Sequence, residues 1–209
     1  MKKLFNFFPV IIFFLFTANA YSSPEKRLSH ILIVGDSLSA GYGIDLEDGW
    51  VRLMQKKLDE KLPKKYQVIN ASISGDTTTM AAGRIAKLLD TYQPNIVIVA
   101  LGGNDGLQGH PLKVMRKNLS TMVELSQAAN AKVLLAGIQI PPNYGQRYTS
   151  EFFDSYSLIE KKYSIELVPF ILDKIAIDPK LMQQDGIHPT AEAQPQIRDN
   201  IWPHLEKLL

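Results

Sequence analysis

Ser37 stands in Gly35-Asp36-Ser37-Leu38-Ser39, directly after an apolar run. Gly35 lets the chain turn sharply. A serine opening the next helix sits where backbone N–H groups point outward and favour negative charge. Such a hydroxyl can serve as a nucleophile; the alternative is an ordinary N-cap serine. In Asn70-Ala71-Ser72-Ile73-Ser74-Gly75-Asp76-Thr77-Thr78, Gly75 can offer its N–H to a ligand with no side chain in the way. The alternative is a turn glycine with Asp76 or Thr77 as the next N-cap. Leu101-Gly102-Gly103-Asn104-Asp105-Gly106 allows close backbone approach and supplies the Asn104 amide; a Gly/Asn/Asp turn is the other reading. Asp185-Gly186-Ile187-His188-Pro189 sets an acid three residues before a histidine. That spacing can bring a carboxylate to imidazole Nδ1, fix the tautomer and leave Nε2 free as a base. A surface loop leading into the last helix is the alternative. His30 and His204 have weaker company, whereas His110, before Pro111, can line a pocket. A hydroxyl, N–H donors, an amide and an Asp/His pair together make the inventory for acyl transfer through a serine.

These residues need a scaffold that gathers them. Short apolar runs at His30–Val34, Tyr66–Asn70, Ile96–Leu101, Lys132–Ala136 and, more weakly, Ile165–Val168 suit strands buried on both faces. Helical stripes lie between them: Trp50, Leu53, Met54, Leu58; Ala82, Ile85, Ala86, Leu89; Val114, Met115, Leu119, Met122, Leu125; Phe152, Tyr156, Ile159, Tyr163; and Ile197, Ile201, Leu205, Leu208. Each puts apolar side chains on one helix face, as core packing does. Strands alternating with helices predict an α/β fold, a parallel sheet with right-handed crossovers. No linker, repeat or low-complexity block divides it, so one domain is expected over residues 29–209. In open sheets of this kind ligands bind beyond the carboxyl ends of the strands. The four loops above all leave such ends.

Composition narrows the function classes. The 209 residues are 45% hydrophobic and 21% charged, which fits a globular chain rather than a disordered one. Residues 1–20 hold Lys2 and Lys3 and no acid, so the remainder carries 21 basic and 21 acidic residues. That balance speaks against nucleic-acid binding through a basic face. The absence of cysteine removes disulfides, thiol nucleophiles, iron–sulfur clusters and cysteine zinc sites. Lys2-Lys3, the apolar stretch Leu4 to Phe16 and Ala18-Asn19-Ala20 form a secretory signal peptide over residues 1–20, with a polar leader over 21–28. The apolar stretch is too short, and too interrupted by Pro9, for a spanning helix of roughly 20 residues. The expectation is an exported protein without stable membrane insertion, periplasmic in a Gram-negative source, and a monomer.

The blocks Gly-Asp-Ser-Leu, Gly75, Gly-Gly-Asn-Asp at 102–105 and Asp-x-x-His at 185–188 resemble those of the SGNH (GDSL) hydrolases. GDSLSAGYG, VINASISGDTT, LGGNDGLQG, PPNYGQRY and MQQDGIHP are similar to the bacterial thioesterase I/protease I/lysophospholipase subgroup, also described as arylesterases. The G-x-S-x-G elbow, the Walker loop, G-x-G-x-x-G and H-E-x-x-H are absent. The resemblance implies a three-layer α/β/α, flavodoxin-like fold with five parallel strands, no cofactor and no metal. It implies Ser37 as nucleophile, Asp185 and His188 as its triad partners, and Gly75, Asn104 and the Ser37 N–H as oxyanion donors. It further implies an acyl pocket bordered by Gly106 to Pro111 and Ile138 to Tyr144.

Leu107, Pro111, Ile138, Ile140 and Tyr144, with Pro141 and Pro142, would form an apolar wall suited to acyl chains or aryl groups. The expected partner is therefore a small-molecule or lipid acyl substrate, bound as an ester or thioester. Other readings are a carbohydrate O-deacetylase acting on cell-wall polymers, a non-catalytic flavodoxin-like binding module, and an endopeptidase.

Overall fold

The computed structural model describes residues 28–209. The expected signal peptide, and the leader up to residue 27, lie outside the described residues. Five strands form one sheet: β1 (Ser29–Gly35), β2 (Tyr66–Asn70), β3 (Ile96–Ala100), β4 (Lys132–Ala136) and β5 (Glu166–Val168). Their order is β2-β1-β3-β4-β5, and every neighbouring pair is parallel. β1 and β3, at the centre, are β-branched and almost wholly buried, as strands covered on both faces must be. The edge strands β2 and β5 alternate in burial or are short.

Among the described residues, seven α-helices complete the layers: α1 (Ser37–Ala40), α2 (Trp50–Lys61), α3 (Thr78–Tyr92), α4 (Gly103–Leu107), α5 (Leu112–Ala128), α6 (Gln146–Tyr163) and α7 (Gln194–Glu206). α2 packs against α7, β2 lies beneath α2, and α3, α5 and α6 pack side by side as another group. The architecture is the α/β/α sandwich with five parallel strands.

Two strands have the ends read from sequence, and the others shift by one residue. The helical faces are rotated slightly. Ala81, Ile85 and Leu89 are the buried line of α3, while Ala86 is exposed. In α5, Val114 and Leu125 flank the buried face, which adds Leu112 and Val123. A 3.6-residue period leaves such flanking positions ambiguous until the neighbouring helix is known. The segment after β5 has no regular element from Pro169 to Thr190, yet it buries Ile171, Leu172 and Ile175.

Because all five strands are parallel, the loops after β1, β2, β3 and β4 emerge at one edge. The loop after β2 is fastened to the end of β1, where the Ile73 N–H donates to the Gly35 carbonyl at 3.0 Å. Gly35 has no room for a side chain. A Cβ there would meet Ser39 Oγ at 2.7 Å and Ser72 Oγ at 2.9 Å. Gly35→Ala is expected to lose about 1–3 kcal/mol of stability through overpacking, read as a lower urea midpoint at unchanged m-value. An unchanged midpoint would mean the two serines move aside without cost.

Candidate active site

β1 ends at Gly35, and Asp36 rather than Ser37 caps the short helix that follows. Asp36 Oδ1 accepts the Leu38 N–H at 3.1 Å. With the cap supplied by its neighbour, Ser37 is the first helical residue and its hydroxyl is free of that duty. Ser37 Oγ lies 2.9 Å from His188 Nε2.

His188 sits in a tight loop. An antiparallel bridge pairs Met182 with Pro189, and the Gln183 N–H donates to the His188 carbonyl at 2.7 Å. Gly186 turns the chain with φ of 67°. Asp185 Oδ1 accepts the N–H groups of Ile187 and His188 at 2.9 and 3.0 Å, while Oδ2 lies 2.7 Å from His188 Nδ1. The backbone donor from His188 leads, its ring and the Ile187 N–H follow, and together they hold the Asp185 carboxyl down to about 2. Asp185 therefore stays ionised across neutral pH, and what its ionisation adds to stability is lost only as pH falls toward 2.

The candidate anion donors come from the next two loops. Gly75 has φ of 85° and open space where a side chain would be. Among the described residues, neither the Ser37 nor the Gly75 N–H has a hydrogen-bond acceptor. Asn104, near the start of α4, donates from Nδ2 to the Asp76 carbonyl at 2.9 Å, which orients the amide and leaves its second N–H unspent. One of these hydrogen bonds thus joins the loop bearing Asn104 to the loop bearing Gly75.

Three charged residues fix these loops from behind. Arg84, on α3, holds Asp76 through Nη2 at 2.6 Å and Nε at 3.0 Å, and donates to the Ala71 carbonyl at 2.7 Å. Asp105 is buried and accepts from the Thr78 N–H at 2.8 Å and the Thr78 hydroxyl at 2.6 Å. The sequence offers Asp76 or Thr77 as the N-cap, of which Thr77 is the one used, and Asp105 as a turn residue. Nothing in it marks Arg84 as the partner of Asp76, beyond its being a lone arginine within the alanine-rich stripe of α3.

A cavity of about 520 Å³ opens beside Ser37, Asn104 and His188. Leu107, Ile138, Ile140, Pro141 and Pro142 line it, as the apolar-wall reading expects. Pro111 and Tyr144 do not. Pro111 is exposed and caps α5, because α4 carries the chain away from the cavity after Leu107. Tyr144 acts from behind, its hydroxyl donating to the Leu107 carbonyl at 2.8 Å. His110 is likewise outside the lining, with its carbonyl accepting from the Tyr148 hydroxyl at 2.8 Å. Phe170, Leu172, Ala176, Ile177 and Met182, from the irregular segment after β5, complete the apolar lining, and no sequence periodicity marks them. Among the described residues, no group of three or more His, Asp or Glu side chains could hold a metal ion.

Residues 33–194 match the GDSL-like Lipase/Acylhydrolase family. The chain belongs to this family. It is 45% identical over 179 residues to esterase TesA of Pseudomonas aeruginosa, covering 86% of this chain and 89% of that one. It is 41% identical over 179 residues to thioesterase 1/protease 1/lysophospholipase L1 of Escherichia coli, covering 86% and 84%. Among solved structures, the psychrotrophic esterase EstA from Pseudoalteromonas sp., in a form inhibited by monoethylphosphonate, superposes with a TM-score of 0.81. It shares 46% identity, over 86% of this chain and 97% of that one. The hydrolase class implied by the four sequence blocks is thus the class of the family.

One acid in this GDSL-like site is a liability. Asp36 is 2% exposed. Burial dominates and pushes its carboxyl up to about 6, against the Leu38 N–H and the charge of His188, which favour ionisation. An acid raised on folding binds more protons in the native than in the unfolded state, so stability falls as pH climbs through this interval. Asp36→Asn keeps an acceptor for the Leu38 N–H and removes the charge. Its urea stability should exceed wild type by up to roughly 3 kcal/mol at pH 7.5 and by little at pH 4. A gain equal at both pH values would mean that ionisation of Asp36 is not its source.

Proposed function

We propose that this chain is a serine esterase and thioesterase that hydrolyses acyl esters and thioesters, aryl esters and lysophospholipids included, through an acyl-serine intermediate. The observation that carries this reading is the unbroken chain from Ser37 Oγ to His188 Nε2 and from His188 Nδ1 to Asp185 Oδ2. His188 takes the Ser37 proton as Oγ attacks the acyl carbonyl. The carboxylate of Asp185, ionised throughout the working range, holds the ring and stabilises the imidazolium. The N–H groups of Ser37 and Gly75 and the Asn104 amide meet the oxyanion. The alcohol or thiol leaves with the proton from His188, and water, activated by the same imidazole, releases the acid and restores Ser37.

The substrate class follows from the cavity. Its lining is largely aliphatic and proline-rich and includes Phe170, Ile177 and Met182, which suits an apolar acyl or aryl group. A sugar ring would call for more hydrogen-bonding side chains. The EstA structure inhibited by a phosphonate supports a nucleophile of the same kind, and the names of the relatives support ester and thioester substrates. Export to the periplasm rests on the signal-like residues 1–20. Among the described residues no helix is long and apolar enough to cross a membrane.

With p-nitrophenyl esters of graded acyl length, wild type should show a burst of p-nitrophenol and Ser37→Ala none. A burst that persists in Ser37→Ala moves the nucleophile elsewhere, and faster turnover of acetylated sugars than of any longer ester would favour a deacetylase. Asn104→Ala should lower kcat by about 10²–10³ with a much smaller change in KM, because an oxyanion donor acts in the transition state. Wild-type kcat in that variant would remove Asn104 from the oxyanion site.

A further inference from the structure

The turn after α1 carries an aromatic ring that the proposed reaction leaves unused. Tyr42 is 53% exposed, so it adds little to the core. Its ring centroid nevertheless lies 4.5 Å from that of His188, with the planes inclined at 38°. We propose that Tyr42 is a positioning residue for the general base: its π face braces the His188 ring and favours the imidazolium that forms as Ser37 attacks. This inference rests on the serine-hydrolase reading above.

The backbone holds Tyr42 in that place from two sides. Its N–H donates to the Ser37 carbonyl at 3.2 Å, which ties it to the nucleophile helix. Its carbonyl accepts from Gln183 Nε2 at 2.9 Å, and the same amide nitrogen donates to the Pro189 carbonyl at 3.0 Å. Gln183 thus staples the tyrosine turn to the loop that presents His188. Gly43, with φ of 75°, leaves the space the Gln183 amide fills; a Cβ there would lie against the amide nitrogen at 3.0 Å. Among the described residues the Tyr42 hydroxyl has no hydrogen-bond partner, so the ring carries the contact.

The physical effect is directional. A neutral imidazole gains little from an aromatic face. An imidazolium is attracted by the ring quadrupole. The other ionisable groups facing His188 are Asp185 on its own loop and Asp36 at the start of α1, with the Ser37 hydroxyl at Nε2. Both acids also favour the cation, and Tyr42 is the uncharged contributor on the open side.

The test uses the full mature chain with Tyr42→Phe, Tyr42→Leu, and replacement of Tyr42 by pentafluorophenylalanine, which keeps the ring shape and reverses its quadrupole. For each, kcat and KM on p-nitrophenyl butyrate are followed from pH 5 to 9, the His188 ring is titrated by NMR, and Tm is recorded. Tyr42→Phe should match wild type. Tyr42→Leu and the fluorinated ring should lower kcat by about 2- to 30-fold, with KM within about twofold. In both, the ring titration and the acid limb of kcat/KM should move to lower pH, by roughly 0.4–1.5. Wild-type behaviour of the fluorinated ring, or a rise in KM with the titration unmoved, would overturn the proposal and leave Tyr42 a packing or substrate contact. Equal losses in Tyr42→Phe and Tyr42→Leu would overturn it in favour of the hydroxyl. Should Tyr42→Leu fail to fold, the isosteric fluorinated ring still decides. Failure of the hydrolase reading has a separate signature: turnover that survives Ser37→Ala.

Discussion

A single contact spans 151 positions of chain, from the Ser37 hydroxyl to the His188 imidazole. A hydrogen bond of this kind contributes only about 1 kcal/mol net, so it cannot by itself bring two distant loops together. It exists because each partner is fixed independently. Asp36 caps the helix that begins at Ser37, and the Met182–Pro189 bridge, the Gln183 amide and the Asp185 carboxylate fix His188. The parallel sheet supplies the rest, since its strand ends put the loops after β1, β2 and β3 at one edge. The loop of His188 reaches that edge by the irregular segment after β5.

The loops that bear the proposed anion donors are held by buried charge. An unpaired buried carboxylate is expensive, and the usual remedy is a charged partner or several donors. Asp76 takes the first remedy with Arg84 and Asp105 the second with Thr78. The first couples the loop after β2 to the body of α3, and the second couples the start of α3 to α4. In the proposed reaction this loop offers the N–H of a glycine at positive φ, and such a loop cannot rely on side-chain packing for rigidity. These ion pairs and hydrogen bonds supply it from outside the loop.

Much of this was legible in the residues. β2 and β4 begin and end where Tyr66–Asn70 and Lys132–Ala136 were read from the sequence, since short apolar runs bounded by polar residues suit strands. The four loops could be named because glycine, serine, asparagine and the Asp/His pair are uncommon company directly after strands. What escaped was whatever depends on a partner distant in sequence. Whether Ala86 or Ala81 faces inward in α3 is decided by where α5 lies. α4 looked like a turn, since glycine, asparagine and aspartate are poor helix formers and only the tertiary frame holds its single turn. The Phe170–Met182 wall has no periodicity to reveal it. The resemblance brings Pro111 and Tyr144 to the pocket with the segments Gly106 to Pro111 and Ile138 to Tyr144; the structure sets Pro111 at the cap of α5 and the Tyr144 hydroxyl on the Leu107 carbonyl, both outside the lining.

Two aspartates flank the histidine, and their environments drive them apart. Burial lifts Asp36 to about 6, against the backbone N–H groups of Leu38 and of Asp36 itself. Asp185 has two backbone donors and the imidazole, and a side chain 39% exposed to water, which take it to about 2. In the proposed reaction, the group that holds one imidazole tautomer and balances an imidazolium needs its charge at every working pH. Asp185 meets that condition and Asp36 does not. Solvation and the imidazole hydrogen bond separate the two acids, since backbone donors lower both.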